Sequence, residues 1–248
     1  MTMKRNIALT IVMMTAFIMN LSAKTFDIPS ESTSDSSRKA VEATMFVNPF
    51  HGINIDMVAS VRFVQGPQSR IEAQGPEHII RLIDVQVKND VLVMTARDDF
   101  KLKKGEKLSL TIYSPELTSL EQNGVGSFKI DTRLETPALK IVSTGVGNIC
   151  MTDLHCQELH LELDGVGSVE LKGEAQKVTY KSNGVGSIDA YEMLAQVAKV
   201  DLDGVGSIHC YASQRIDCSN NGVGSIFYKG NPEVENIHKE GIGSIKKR

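Results

Sequence analysis

Tryptophan is absent from this 248-residue chain, and aromatic residues make up only 5% of it. A broad aromatic platform for stacking sugar rings is therefore poorly supplied. Basic charge is not in excess either, the formal net charge being −3. Phosphate backbones demand a basic surface, which excludes nucleic acid as a partner. No Gly-x-Ser-x-Gly elbow and no His-Glu-x-x-His pair occurs, so two common hydrolase signatures are missing. After Leu21 no apolar run is long enough to cross a bilayer.

The N-terminus carries the first positive signal. Lys4-Arg5 precedes an uncharged apolar run, Ile7 to Leu21, and Leu21-Ser22-Ala23 offers residues that a signal peptidase accepts. The run is shorter than the ~20 residues of a spanning helix, so the segment reads as a cleaved signal peptide, residues 1–23, rather than an anchor. No cysteine lies near Ala23, which removes a lipid anchor. Cleavage moves the formal charge from −3 to −5, because Lys4 and Arg5 leave with no acid. Residues 24–44, with Ser30, Ser32, Ser34, Ser36 and Ser37, read as a flexible linker. In an oxidising compartment Cys150, Cys156, Cys210 and Cys218 can form two disulfides, and their spacing selects none of the three pairings.

The dominant feature is a Gly-Val-Gly-Ser repeat. Its first glycine stands at Gly124, Gly145, Gly165, Gly184, Gly204, Gly222 and Gly241, at spacings of 21, 20, 19, 20, 18 and 19. Its second stands at Gly126, Gly147, Gly167, Gly186, Gly206, Gly224 and Gly243. A polar residue always precedes it, from Asn123 to Glu240. Apolar residues recur with period two on either side, as in Phe128 and Ile130, or Ile149 and Met151, the pattern of half-buried strands.

Such repeats could close hairpins in an antiparallel meander or corners in a solenoid. Near-identity of the corners favours the solenoid. Stacked corners sit about 4.8 Å apart, where a side chain would strike the next coil, whereas meander turns have no need to match. The motif valine and the apolar residue three positions later have opposite parity in a straight strand. A bend at the intervening glycine is expected to turn both inward. The expected fold is all-β: a single-stranded parallel β-helix of about 19–20 residues per coil, over residues 123–248. Residues 45–122 alternate similarly around turns at Asn89-Asp90 and Lys104-Gly105, and read as irregular coils capping the N-terminal end. Pro76 to Leu82 fits one helical turn at a corner.

Phe50-His51-Gly52-Ile53-Asn54, the alternating strands after it and the Asn-Gly-Val-Gly-Ser corners together resemble the GIN-domain family, exported bacterial proteins described as autotransporter-adhesin heads. The likeness runs from about Met45 to Arg248. It implies a right-handed β-helix placed in the periplasm or at the cell surface, and it transfers no catalytic residue.

Other motifs carry less. A dinucleotide fingerprint needs a helix after its glycines, and here strands follow. Asp164 and Asp203, each beside a glycine, resemble positions in calcium-binding β-rolls, but only two of seven corners carry Asp. Cys150, His155, Cys156 and His160 do not have a standard zinc spacing. Outward Glu162, Glu170, Asp189 and Asp201 could serve a polysaccharide lyase or hydrolase, yet read better as a solvated face. The expectation is a non-catalytic envelope module with no metal or cofactor, touching a glycan, a protein or its own copy. The first test is export: N-terminal sequencing of the chain from its host is expected to begin at Lys24, and full-length chain in the cytosol would contradict this.

Overall fold

The computed structural model describes Phe26, Asp27 and residues 40–248. The signal-peptide segment lies outside the described residues, as does most of the serine-rich stretch. Of the described residues 72% are strand, wound into a β-solenoid of about six turns.

The repeats form the stack. After β1 (Ala40–Phe46), β2 (Gly52–Asp56), β3 (Val58–Gln65), β4 (Arg70–Pro76), β5 (Ile83–Lys88), β6 (Val91–Ala96) and β7 (Ser109–Ser114) come β8 (Ser119–Gln122) and β9 (Val125–Ile130). Then follow β10 (Leu134–Ser143), β11 (Val146–Leu163), β12 (Val166–Ser182), β13 (Val185–Leu202), β14 (Val205–Tyr211), β15 (Arg215–Asn220), β16 (Val223–Lys229), β17 (Val234–Lys239) and β18 (Ile242–Lys247). From β8 onward all pairing is parallel, with Val146 opposite Val166, Val166 opposite Val185 and Val185 opposite Val205. In β11, β12 and β13 a single long strand runs from one glycine corner to the next. A register shift bends it midway, between Met151 and Leu154 or between Glu170 and Lys172.

Inward positions stack into apolar columns, which is what the period-two pattern requires. Phe128, Ile149, Val169, Ile188, Ile208 and Ile226 form one, and Leu120, Ile141, Leu161, Tyr180, Val200 and Cys218 another, all buried. Both columns end at the last coil, where Ile237 is exposed and Ile245 only partly buried.

At each corner two successive N–H groups donate to one carbonyl of the coil beneath. Asp203 and Gly204 both reach the Ser182 oxygen, at 2.9 and 2.8 Å, and Val205 N–H donates to Gly184 at 2.9 Å. A β-carbon on Gly204 would overlap the Gly184 carbonyl, and one on Gly206 would overlap that of Gly186. Gly206 also has φ +149°, which side chains rarely adopt.

The N-terminal region caps the stack, but not with simple coils. β2 and β3 form the first coil, beneath β8 and β9. On their other side lie β6 and β7, in parallel. Three antiparallel pairings then close the end: β1 with β4, β4 with β7 and β5 with β6. The helical turn α1 (Glu77–Ile80) buries Ile79 and Ile80.

Two expectations need correction here. The linker does not extend to residue 44, since β1 begins at Ala40, Asp27 bridges Thr44 and Phe26 is buried. An alternating Val41, Ala43 and Met45 suffices for a strand despite polar neighbours. Nor do the motif valines turn inward. Val125, Val146, Val166, Val185, Val205 and Val223 are 48–51% exposed. Simple alternation holds through the corner, so Val125 points out while Phe128 points in.

Overlap plus positive φ sets the expected cost of substitution. Gly206→Ala should lose about 2–6 kcal/mol, from overpacking and backbone strain together. Gly184→Ala should lose about 1–3 kcal/mol from overpacking alone. Asp201→Asn, on the outside, should stay within ~0.5 kcal/mol. Urea denaturation checks all three, and equally mild losses would remove the stacked-corner account.

Candidate binding surface

Because coils stack in register, every outward position becomes a row along the solenoid. Three short-side-chain rows flank the glycine corner. The middle row is Val58, Val125, Val146, Val166, Val185, Val205, Val223 and Ile242, all exposed. Each valine leans on those above and below. Ile242, with a neighbour on one side only, is correspondingly more open, at 75%.

On one side runs the polar row that precedes the motif, its rungs linked in pairs. Thr144 Oγ1 donates to Asn123 Oδ1 at 2.7 Å, Asn183 Nδ2 to Asp164 at 2.6 Å and Asn221 Nδ2 to Asp203 at 2.8 Å. The alternation of amide and carboxylate lets each amide supply the hydrogen that its acidic neighbour accepts. On the other side is the serine row, where Ser168 Oγ donates to Asn148 Oδ1 at 2.8 Å and Ser187 meets Ser207 at 3.2 Å.

Two residues further along the strands the row runs Asp189, His209 and Phe227, and Tyr191, two residues beyond Asp189, reaches across to it. Tyr191 stacks on His209 with ring centroids 4.8 Å apart and planes within 4°, and Phe227 lies 5.4 Å beyond. Lys229 Nζ sits 4.2 Å from the Tyr191 ring centre and the Arg248 guanidinium 4.3 Å from that of Phe227. Cations already cover these rings, so the cluster is a self-satisfied column more than a free stacking face. Its members were missed in the sequence, although the aromatic replacements at the otherwise polar positions 209 and 227 were the signal.

Of the outward carboxylates, Glu170 and Asp189 are register partners on adjacent coils, and Glu162 and Asp201 stand on other rungs. Glu162 faces His160 at 3.9 Å, Glu170 faces Lys172 at 3.2 Å, Asp189 faces His209 at 3.8 Å and Asp201 faces Lys199 at 3.6 Å. Each is met by a base on its own or the adjacent coil.

A family model described as "Putative auto-transporter adhesin, head GIN domain" matches residues 49–232. The chain belongs to this GIN-domain family. Among solved structures, a protein from Bacteroides fragilis described as a putative adhesin is 36% identical, with a TM-score of 0.84, covering 86% of this chain and 99% of its own. A Parabacteroides distasonis protein described as a putative lipid binding protein is 21% identical, TM-score 0.66, covering 84% and 96%. A Parabacteroides merdae protein, described as a putative adhesin, is 19% identical, TM-score 0.64, with the same coverage. No match was found among curated proteins.

An open groove of about 440 Å³ lies just past the midway register shifts of this GIN domain, lined by His155, Cys156, Glu174, Leu194, Tyr211 and neighbours, and another of about 430 Å³ near the last coil is lined by Asp201, Asp217, Glu235 and neighbours. His155 is turned to Asp153 at 2.7 Å and Cys150 to Glu170 at 3.9 Å. The four residues of the non-standard zinc pattern therefore do not converge, and among the described residues no group of three or more His, Cys, Asp or Glu could hold a metal.

All four cysteines are free thiols. Cys210 and Cys218 stand in the core columns, where cysteine acts as a small apolar residue. Burial pushes Cys156 up to about 11 and Cys218, beside Asp217 as well, up to about 12. A raised thiol pKa means fewer thiolates at neutral pH, and thiolate is the reacting form. Native protein should therefore alkylate at Cys156 with about a hundredfold less thiolate than an ordinary cysteine, while all four react in guanidinium. Timed iodoacetamide labelling with mass spectrometry measures this.

Proposed function

We propose that this GIN domain is an exported, non-catalytic head of the cell envelope that works by contact through its outer rows. The observation that carries the reading is coil uniformity. Successive corners are 18 to 21 residues apart, so no long loop rises from the repeats to wall a catalytic cleft. The signal-peptide pattern of residues 1–23 supports export, and the adhesin descriptions of the family and of the Bacteroides fragilis relative support surface contact.

The alternative, a carbohydrate-active β-helix enzyme, has two grooves to use, the one at His155 and Tyr211 and another of about 430 Å³ lined by Lys199, Asp201, Asp217, Glu235 and neighbours. A glycosidase needs two carboxylates flanking the bond; Glu174 is alone in the first lining, and in the second Asp201 is met by Lys199, Asp217 by Arg215 and Glu235 by Lys247 and Tyr228. A screen of polysaccharides with divalent metals added is expected to show no release of sugar. Turnover abolished by Glu174→Gln would move the protein into the enzyme class.

A further inference from the structure

We propose that the groove just past the midway register shifts is a binding site for a short, uncharged oligosaccharide. This rests on the contact reading above and names its place and its ligand. The groove is built by register. Its floor is Cys156, Ala175 and Ala195, partners on three successive coils, and Ser213 continues the line, its N–H donating to the Ala195 carbonyl at 3.0 Å. Small residues at this one position leave about 440 Å³ open. His155, Glu174 and Leu194 stand on one side of the floor, and the glutamines that follow it stand on the other. Three intervals of about 4.8 Å make the floor about 14 Å long, and the volume is that of a small-ligand site.

The glutamine side carries the argument. Gln157, Gln176, Gln196 and Gln214 occupy equivalent positions on four successive coils, with Gln214 N–H donating to the Gln196 carbonyl at 2.9 Å. They are also all the glutamines in residues 123–248. A merely solvated row has no need of one residue type, and other outward rows mix lysine, glutamate, aspartate and histidine. A primary amide presents two donors and an acceptor at the end of a flexible stem. Among the described residues, the side chains of Glu174, Gln176, Gln196 and Tyr211 have no hydrogen-bond or ion-pair partner. Other outward side chains of the same coils are paired, as Asn183 is with Asp164 and Glu170 with Lys172.

This lining selects among ligands. It holds Glu174 and neither lysine nor arginine, so an anion is opposed. Leu194 is its one large aliphatic residue, too little to shelter a lipid chain. An extended peptide repeats on one side every ~6.7 Å, out of step with rungs ~4.8 Å apart. Nor can it add as a strand, because that needs an open edge, and β11, β12 and β13 are already paired to one another. Sugar hydroxyls each donate and accept, as the amides do, and bring no charge. Tyr211 adds one ring for the apolar face of a sugar. Recognition therefore runs through hydrogen bonds more than through stacking, in keeping with the scarcity of aromatic residues.

The test is an NMR titration of the processed, isotope-labelled chain with neutral tetrasaccharides of glucose, mannose, xylose and N-acetylglucosamine. At least one probe is expected to shift the side-chain amide resonances of Gln176 and Gln196 saturably. Gln176→Ala with Gln196→Ala, both exposed positions, should weaken that binding at least tenfold, with the backbone spectrum reporting that the fold is kept. Lys181→Ala, on another row, should leave binding unaltered. Binding at the groove followed by release of sugar would support the site and overturn the non-catalytic reading. No shift with any neutral probe would overturn the site and leave that reading standing. Undiminished binding by the double variant would also overturn it, as would a groove that prefers tetragalacturonate or phosphatidylglycerol vesicles to every neutral probe.

Discussion

Everything in this fold depends on one close approach: the backbone of each glycine corner lying directly on the backbone of the corner beneath. Asp203 and Gly204 share the Ser182 carbonyl, and Val205 bonds to Gly184. Those bonds leave no room for a β-carbon on either glycine of the motif. The clash is with main-chain atoms, which cannot swing aside as a flexible side chain can. Once corners are locked in register, inward columns and outward rows follow without further specification.

The exception at the start of the stack shows that the first glycine is required by the coil below, whereas the second also serves its own positive φ, +140° to +157°, which Ala59 does not share. Asp56-Met57-Val58-Ala59-Ser60 is an eighth corner, lying under Asn123-Gly124-Val125-Gly126-Ser127 with Val58 opposite Val125 and Ala59 opposite Gly126. Both glycines are replaced there. Beneath it, β6 pairs only as far as Thr95 and β7 starts at Ser109, the chain between them leaving the stack. With no corner underneath, Met57 and Ala59 can carry side chains. The Asp-x-Val-x-Ser register was present in the sequence, but a search keyed on glycine could not see it.

This explains which features were legible. The solenoid and its inward columns could be read because each repeat states the same local rule seven times. The direction of the valine was misread, since an apolar residue was assumed to seek the core. In a stacked row each valine instead shelters against its neighbours, so β-branched shape counts for more than burial from solvent. The cap was legible only as strands. The hairpin of β5 with β6 follows from the Asn89-Asp90 turn, but β1 with β4 joins strands distant in sequence, and nothing in a two-residue period records such a choice. The aromatic cluster at Tyr191, His209 and Phe227 was hidden for a related reason: His209 and Phe227 become neighbours only through the register, and Tyr191 reaches His209 diagonally, from two residues beyond its partner Asp189.

The two ends decide how such a stack can meet other molecules. At the N-terminal end antiparallel strands cover the first coil. At the other end β17 and β18 pair on one side only, with β15 and β16. There Glu235 and Lys239 stand at inward positions on either side of Ile237, opposite the buried Ile216 and Asn220 of the preceding coil. Glu235 accepts a hydrogen bond from Tyr228 at 3.1 Å and faces Lys247 at 3.8 Å. Inward-pointing charge on an edge strand opposes the addition of another strand, because that strand would have to bury it. Growth along the axis is therefore discouraged at both ends, by cover at one and by charge at the other. What the solenoid leaves open is its flank, and among the described residues the apolar row running the length of that flank is the one the glycine corners themselves create.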